Sequence, residues 1–193
     1  MMYRLFCVIA TIYMVLFHRI SLEGRENIPA TGPVLIFANH PSAFDMVLIA
    51  GRIKRKVHFM AKAELFTNPI LAFIFRSVGA FPVHRGKGDA GSVKTAISLL
   101  RHGEAVGIFP EGTRTRKKTL EPKKGGAALI AFHTDAPILP VAVEGRYHIF
   151  CKMRIIYGKP FRLQEPADGK LDKETLYKAT ADIINRIYAL MGQ

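Results

Sequence analysis

Acidic residues are scarce in this 193-residue chain: 15 Asp and Glu stand against 28 Lys and Arg, a net charge of +13 with neutral histidines. Such an excess draws acidic partners, so nucleic acid, anionic lipid headgroups and phosphorylated substrates are the classes in question. Nucleic acid drops out, because no aromatics interleave with the basic stretches and no recognition motif is evident. Cysteine is nearly absent. Cys7 and Cys151 are far apart and lack paired spacing, which argues against a disulfide framework or a thiolate metal site and fits a reducing, cytosolic side. No linker rich in Pro, Gly or Ser, no internal repeat and no low-complexity tract divides the chain, whose length suits one domain. Disorder is excluded as well, since 49% of the residues are hydrophobic and 13 of them are Phe.

A long hydrophobic run is also missing. The uncharged stretch Leu5 to Phe17 lies between Arg4 and the pair His18 and Arg19. A full span needs about 20 apolar residues, so this shorter one reads as an interfacial or re-entrant helix. A signal peptide would end in small residues, which His18 to Leu22 do not provide. A core helix would keep one polar face, yet Val8 and Val15 make the segment apolar almost all round. The expected organisation is a membrane-associating amino-terminal helix over 1–20 and one domain over 21–193, on the cytoplasmic face of a membrane.

Beyond residue 20, short β-rich runs alternate with longer helical ones. Strands are expected at Val34 to Ala38, Val57 to Ala61, Ala80 to Val83, Ala105 to Phe109, Ile138 to Val143 and Met153 to Tyr157, with the sheet beginning only after Pro33. Helices are expected near 42–51, 64–77, 89–102, 125–134 and 172–191. The fold class is α/β, a mixed, mostly parallel central sheet covered by helices.

Asn39-His40-Pro41-Ser42-Ala43-Phe44-Asp45 follows the first of these strands, so its polar groups emerge at a strand's carboxyl end, where open α/β sheets bind ligands. Pro41 disfavours helical dihedrals at His40 and suits a first helical position, which lets His40 fold back over Asp45. A carboxylate there accepts one imidazole N–H and leaves the other nitrogen basic. Spacing alone is weak evidence, because His84 and Asp89 repeat it in a basic, glycine-rich loop that would hold an imidazole loosely. Phe109-Pro110-Glu111-Gly112-Thr113-Arg114 follows another strand, where a tight turn beside a guanidinium suits a phosphate or a developing oxyanion. Arg85 stands just past a short strand, where a planar fork could grip phosphate.

These blocks, in this order, resemble the glycerolipid acyltransferases, in particular the 1-acylglycerol-3-phosphate (lysophosphatidate) acyltransferases. The Asn-His-x-Ser-x-x-Asp block falls at Asn39 to Asp45 and the Gly-x-Phe-x-x-x-Arg-like block at Gly79 to Arg85. Phe-Pro-Glu-Gly-Thr-Arg falls at Phe109 to Arg114, and a proline-centred apolar strand at Ile138 to Ala142. The resemblance implies that His40 is the general base and Asp45 its orienting partner. It also implies that Arg85 with Glu111, Gly112, Thr113 and Arg114 binds the acceptor's phosphate, and that Pro140 is structural. It implies an acyl group passed from acyl-CoA or an acyl carrier protein to a membrane lipid acceptor, the sn-2 hydroxyl of 1-acylglycerol 3-phosphate, giving phosphatidate in phospholipid biosynthesis, without cofactor or metal and without a covalent acyl-enzyme. The basic surface would meet an anionic membrane surface and the acyl donor. Glycerol 3-phosphate or another lysolipid is the rival acceptor, and a non-catalytic basic peripheral membrane protein is the distant alternative.

Overall fold

The computed structural model describes residues 2–17, 19–42, 44–84, 89–114, 125–145, 147, 150–166 and 169–192. Helix α1 (Met2–Phe17) leads into strand β1 (Arg19–Glu23), followed by β2 (Val34–Ala38), α2 (Asp45–Ala50), β3 (Val57–Lys62), α3 (Pro69–Ser77) and β4 (Phe81–Val83). Then come α4 (Ala90–Arg101), β5 (Ala105–Ile108), α5 (Gly126–Thr134), β6 (Ile138–Gly145), β7 (Lys152–Tyr157) and α6 (Lys173–Ala189). The strands make one sheet in the order β1-β7-β6-β2-β5-β3-β4, parallel throughout except for the antiparallel β6–β7 pair.

Central strand β2 is buried at every position, as a parallel strand covered on both faces should be. Its alternate side chains sort the core into two layers. Val34, Ile36 and Ala38 join Leu48, Ile49 and Ala50 of α2 on one face, with Cys7 of α1 packed against them. Leu35 and Phe37 face the other way, onto Ala96 and Leu100 of α4, Ile130 of α5, and Ile183 and Ile187 of α6. One close approach requires a glycine: a Cβ on Gly107 of β5 would stand 2.3 Å from the Phe59 ring of β3.

Two expectations change. The sheet begins at Arg19, not after Pro33, because β1 pairs in parallel with β7 from Arg19↔Lys152 to Glu23↔Ile156. The helix expected over 64–77 starts at Pro69 instead, after a single 3₁₀ turn at Ala63–Phe66. Pro69 lacks a backbone donor and cannot continue a preceding helix, while Asn68 caps the new one by accepting from the N–H of Ile70 and Leu71.

No described helix is long and apolar enough to cross a membrane. Helix α1 packs against α2, and its Tyr3 hydroxyl donates to the Arg55 carbonyl, between α2 and β3, and accepts from the Val57 N–H at the start of β3. Its Leu5, Val8, Ile9, Ile12 and Leu16 remain exposed, as do Ile70, Leu71, Phe73 and Ile74 of α3.

Candidate active site

Where β2 ends, its ladder to β6 is extended by a side chain. The Asn39 amide donates to the Val143 carbonyl at 2.8 Å and accepts from the Val143 N–H at 2.7 Å. This fixes the residue immediately before His40. The chain then turns at Pro41 and enters α2, with Asp45 in the first helical turn.

Asp45 is fully buried and His40 is 4% exposed. Asp45 Oδ2 sits 2.9 Å from His40 Nδ1 and also accepts the Ser42 N–H at 2.8 Å, so the start of α2 and the imidazole share one oxygen. The other oxygen, Oδ1, accepts the hydroxyl of Tyr147. Burial pushes the Asp45 carboxyl above its ordinary range, opposed by the hydrogen bonds from His40 and Ser42 and by the positive charge of Arg114. Phe109 stacks on the imidazole, with ring centroids 3.8 Å apart and planes 13° from parallel. With Nδ1 engaged, the nitrogen left for chemistry is Nε2.

His40 and Arg114 line one apolar cavity of about 370 Å³. Tyr3, Phe6 and Cys7 of α1, Met46 and Val47 of α2, Phe59 of β3, and Phe75 of α3 supply much of its wall. The exposed apolar sides of α1 and α3 therefore belong to the two helices that flank this cavity.

The Phe109 to Arg114 block follows β5, and a turn closed by Gly112 N–H donating to the Phe109 carbonyl places Gly112 at a positive φ of 68°. Gly112 and Arg114 are exposed and Thr113 is half-buried. Glu111 differs from its neighbours. It is 3% exposed, and both its oxygens are engaged by protein donors: Oε1 accepts the Tyr188 hydroxyl at 2.6 Å and Oε2 the His40 backbone N–H at 3.3 Å. Burial raises its carboxyl too, and the Tyr188 and His40 hydrogen bonds restrain the rise. Arg85 lies outside the described residues.

The second histidine–aspartate pair is not arranged like the first. His84 is exposed, and its backbone N–H, not its ring, donates to Asp89 Oδ2 at 2.7 Å. Asp89 Oδ1 meanwhile caps α4 through the Ser92 N–H. Identical spacing thus yields a buried imidazole–carboxylate pair in one place and a helix cap in the other.

Two side chains of this site carry no signal in the sequence, and a third, Asn39, is legible there only as the start of its block, without its partner. Tyr147 and Tyr188 reach it from 102 and 77 residues away from their partners, and Asn39 contacts Val143 across 104. Among the described residues, no group of three His, Cys, Asp or Glu side chains has the placement to hold a metal ion.

A sheet of this order, with a buried histidine–aspartate pair at a strand's carboxyl end beside an apolar cavity, has the parts of an acyl-transfer enzyme. The family model for acyltransferases matches residues 19–144, and the chain belongs to that family; it is an acyltransferase. It is 36% identical over 177 residues to the 1-acyl-sn-glycerol-3-phosphate acyltransferase of Bacillus subtilis (strain 168), covering 89% of this chain and 87% of that protein. Against the chloroplastic 1-acyl-sn-glycerol-3-phosphate acyltransferase LPAT1 of Arabidopsis thaliana the identity is 30%, over 70% of this chain and 39% of that protein. The fold is similar to the crystal structure of the 1-acyl-sn-glycerophosphate (LPA) acyltransferase PlsC from Thermotoga maritima. That match has a TM-score of 0.72 and 26% identity, covering 99% of this chain and 81% of the other.

Proposed function

We propose that this chain transfers an acyl group from an acyl-CoA or acyl carrier protein thioester to the sn-2 hydroxyl of 1-acylglycerol 3-phosphate, giving phosphatidate at a membrane surface. The observation that carries the reading is the His40 Nδ1 to Asp45 Oδ2 contact of 2.9 Å, buried, on the wall of an apolar cavity that Arg114 also lines. His40 Nε2 takes the acceptor's hydroxyl proton as its oxygen bonds to the thioester carbonyl carbon. That general-base role is usually worth about 10² to 10⁴ in rate, and Asp45 stabilises the imidazolium that results. The tetrahedral adduct collapses by breaking the C–S bond, and the departing sulfur takes the proton back from His40. An acyl chain fits the apolar cavity, and the acceptor's phosphate meets Arg114 and Arg85. The exposed apolar sides of α1 and α3 rest in the bilayer interface, and the chain divides into this helix and the domain that follows it.

The test is an acceptor panel, with glycerol 3-phosphate, lysophosphatidate and other lysolipids offered against coenzyme A and carrier-protein thioesters. Lysophosphatidate should be the preferred acceptor; a preference for glycerol 3-phosphate or for an unphosphorylated lysolipid overturns the assignment. On the preferred pair, His40→Ala should lose about 10² or more in rate while His84→Ala stays near the parent. A folded His40→Ala enzyme with more than about a tenth of the parent rate does not use His40 as its base.

A further inference from the structure

The Asp45 carboxylate orients the imidazole of His40, but the main chain that carries the ring needs its own support. Strand β2 ends at Ala38, and the side chain of Asn39 prolongs its pairing with β6 by one residue. The next backbone donor, His40 N–H, faces Glu111 Oε2. Glu111 is itself held from behind by the hydroxyl of Tyr188, near the carboxyl end of α6, a helix packed on α5 and β6. A buried carboxylate is costly unless its oxygens are satisfied, and this one is satisfied by the two groups it joins. Engaged in this way and 3% exposed, it is poorly placed for a phosphate, which it would also repel. Tyr188 stands beyond residue 144, where the match to the acyltransferase family ends.

We propose that Tyr188 is a positioning residue: through Glu111 it straps the His40 backbone to α6, so that the ring held by Asp45 and the main chain held by Glu111 meet the acceptor in one fixed geometry. The strap rests on the reading of His40 as general base. It reassigns Glu111 from the acceptor's phosphate site to the support of His40.

The full chain in lipid–detergent micelles provides the test. Tyr188→Phe removes one hydroxyl and keeps the ring that packs in the core. Its kcat should fall about tenfold, as losing a hydrogen bond to a charged group allows, while KM for lysophosphatidate and for the acyl thioester stays within about twofold. The amide proton of His40, observed with ¹⁵N-histidine labelling, should move upfield as its hydrogen bond to Glu111 loosens. Glu111→Ala should lower kcat further, and adding Tyr188→Phe to it should lower kcat no more, because the strap runs from the hydroxyl to His40 through that carboxylate. Glu111→Gln, whose amide can serve both neighbours, should recover part of the loss and gives a reading independent of how Tyr188→Phe folds.

A Tyr188→Phe enzyme of lowered melting temperature but parent kcat makes the tyrosine a packing residue and overturns the proposal. So does an equal tenfold cost in the Glu111→Ala background. A rise confined to the acceptor's KM in Glu111→Gln returns Glu111 to the phosphate site. His40→Ala separates the two levels: an active His40→Ala enzyme defeats the base assignment, whereas an inactive one beside a fully active Tyr188→Phe defeats the strap alone.

Discussion

Asp45 accepts three hydrogen bonds on two oxygens, and the Tyr147 hydroxyl is the one on the side away from His40. Its removal has a predictable sign. Donors to a carboxylate stabilise the ionised form, so losing one raises the proton affinity of the group. Tyr147→Phe should therefore move the acid limb of kcat/KM to higher pH, by about one unit. The other charged or titratable groups around the pair, Arg114, Glu111 and Tyr188, stay in place. Rates of parent and variant measured across the acid limb decide it: an unmoved limb means that the hydroxyl does not bear on Asp45 in the working enzyme.

At the level of elements, α1 and β1 adjoin but belong to different things. Helix α1 presents exposed apolar residues and lines the cavity, while β1 is a strand of the sheet whose Ile20 and Leu22 pack against the core. Deleting residues 2–17 should release the protein from phospholipid vesicles in a sedimentation assay and leave a folded domain. Activity should drop, because Tyr3, Phe6 and Cys7 no longer close the cavity. Continued pelleting with vesicles would show that α1 is not the anchor. Extending the deletion through Glu23 removes a whole strand and should abolish cooperative thermal unfolding. The difference between these two cuts is what the sequence could not disclose. Strands β2, β5 and β6 are readable as apolar runs because both faces are covered, whereas Arg19-Ile20-Ser21-Leu22-Glu23 is short, never fully buried and bounded by charges. Its reason for being a strand is β7, far along the chain. The site divides in the same way. His40, Pro41 and Asp45 are legible because local backbone rules bring them together, whereas the two tyrosine hydroxyls reach their carboxylates only through tertiary packing, which leaves no periodicity to read.

For the whole molecule, the membrane binding proposed above draws on a charge of +13 and on the apolar sides of α1 and α3, two contributions that salt can separate. Contacts between Lys or Arg and anionic headgroups are screened within about 3 Å at 1 M ionic strength, but apolar insertion is not. Raising salt to about 1 M should therefore release only part of the protein from anionic vesicles, as read by sedimentation. Complete release would mean that the helices do not insert.

The pairing of β1 with β7 also bears on how the protein is made. Translation runs from Arg19 to Lys152 before the two strands can meet, more than a hundred residues of synthesis. At about 5–20 residues per second that interval is roughly ten seconds, longer than the milliseconds to seconds in which domains of mixed topology fold. Throughout it, the nascent chain carries an apolar helix and an unpaired strand side by side. Completion of this edge of the sheet is thus timed by the ribosome, and on the membrane reading proposed above α1 has the whole of that time to meet a bilayer before the domain behind it closes.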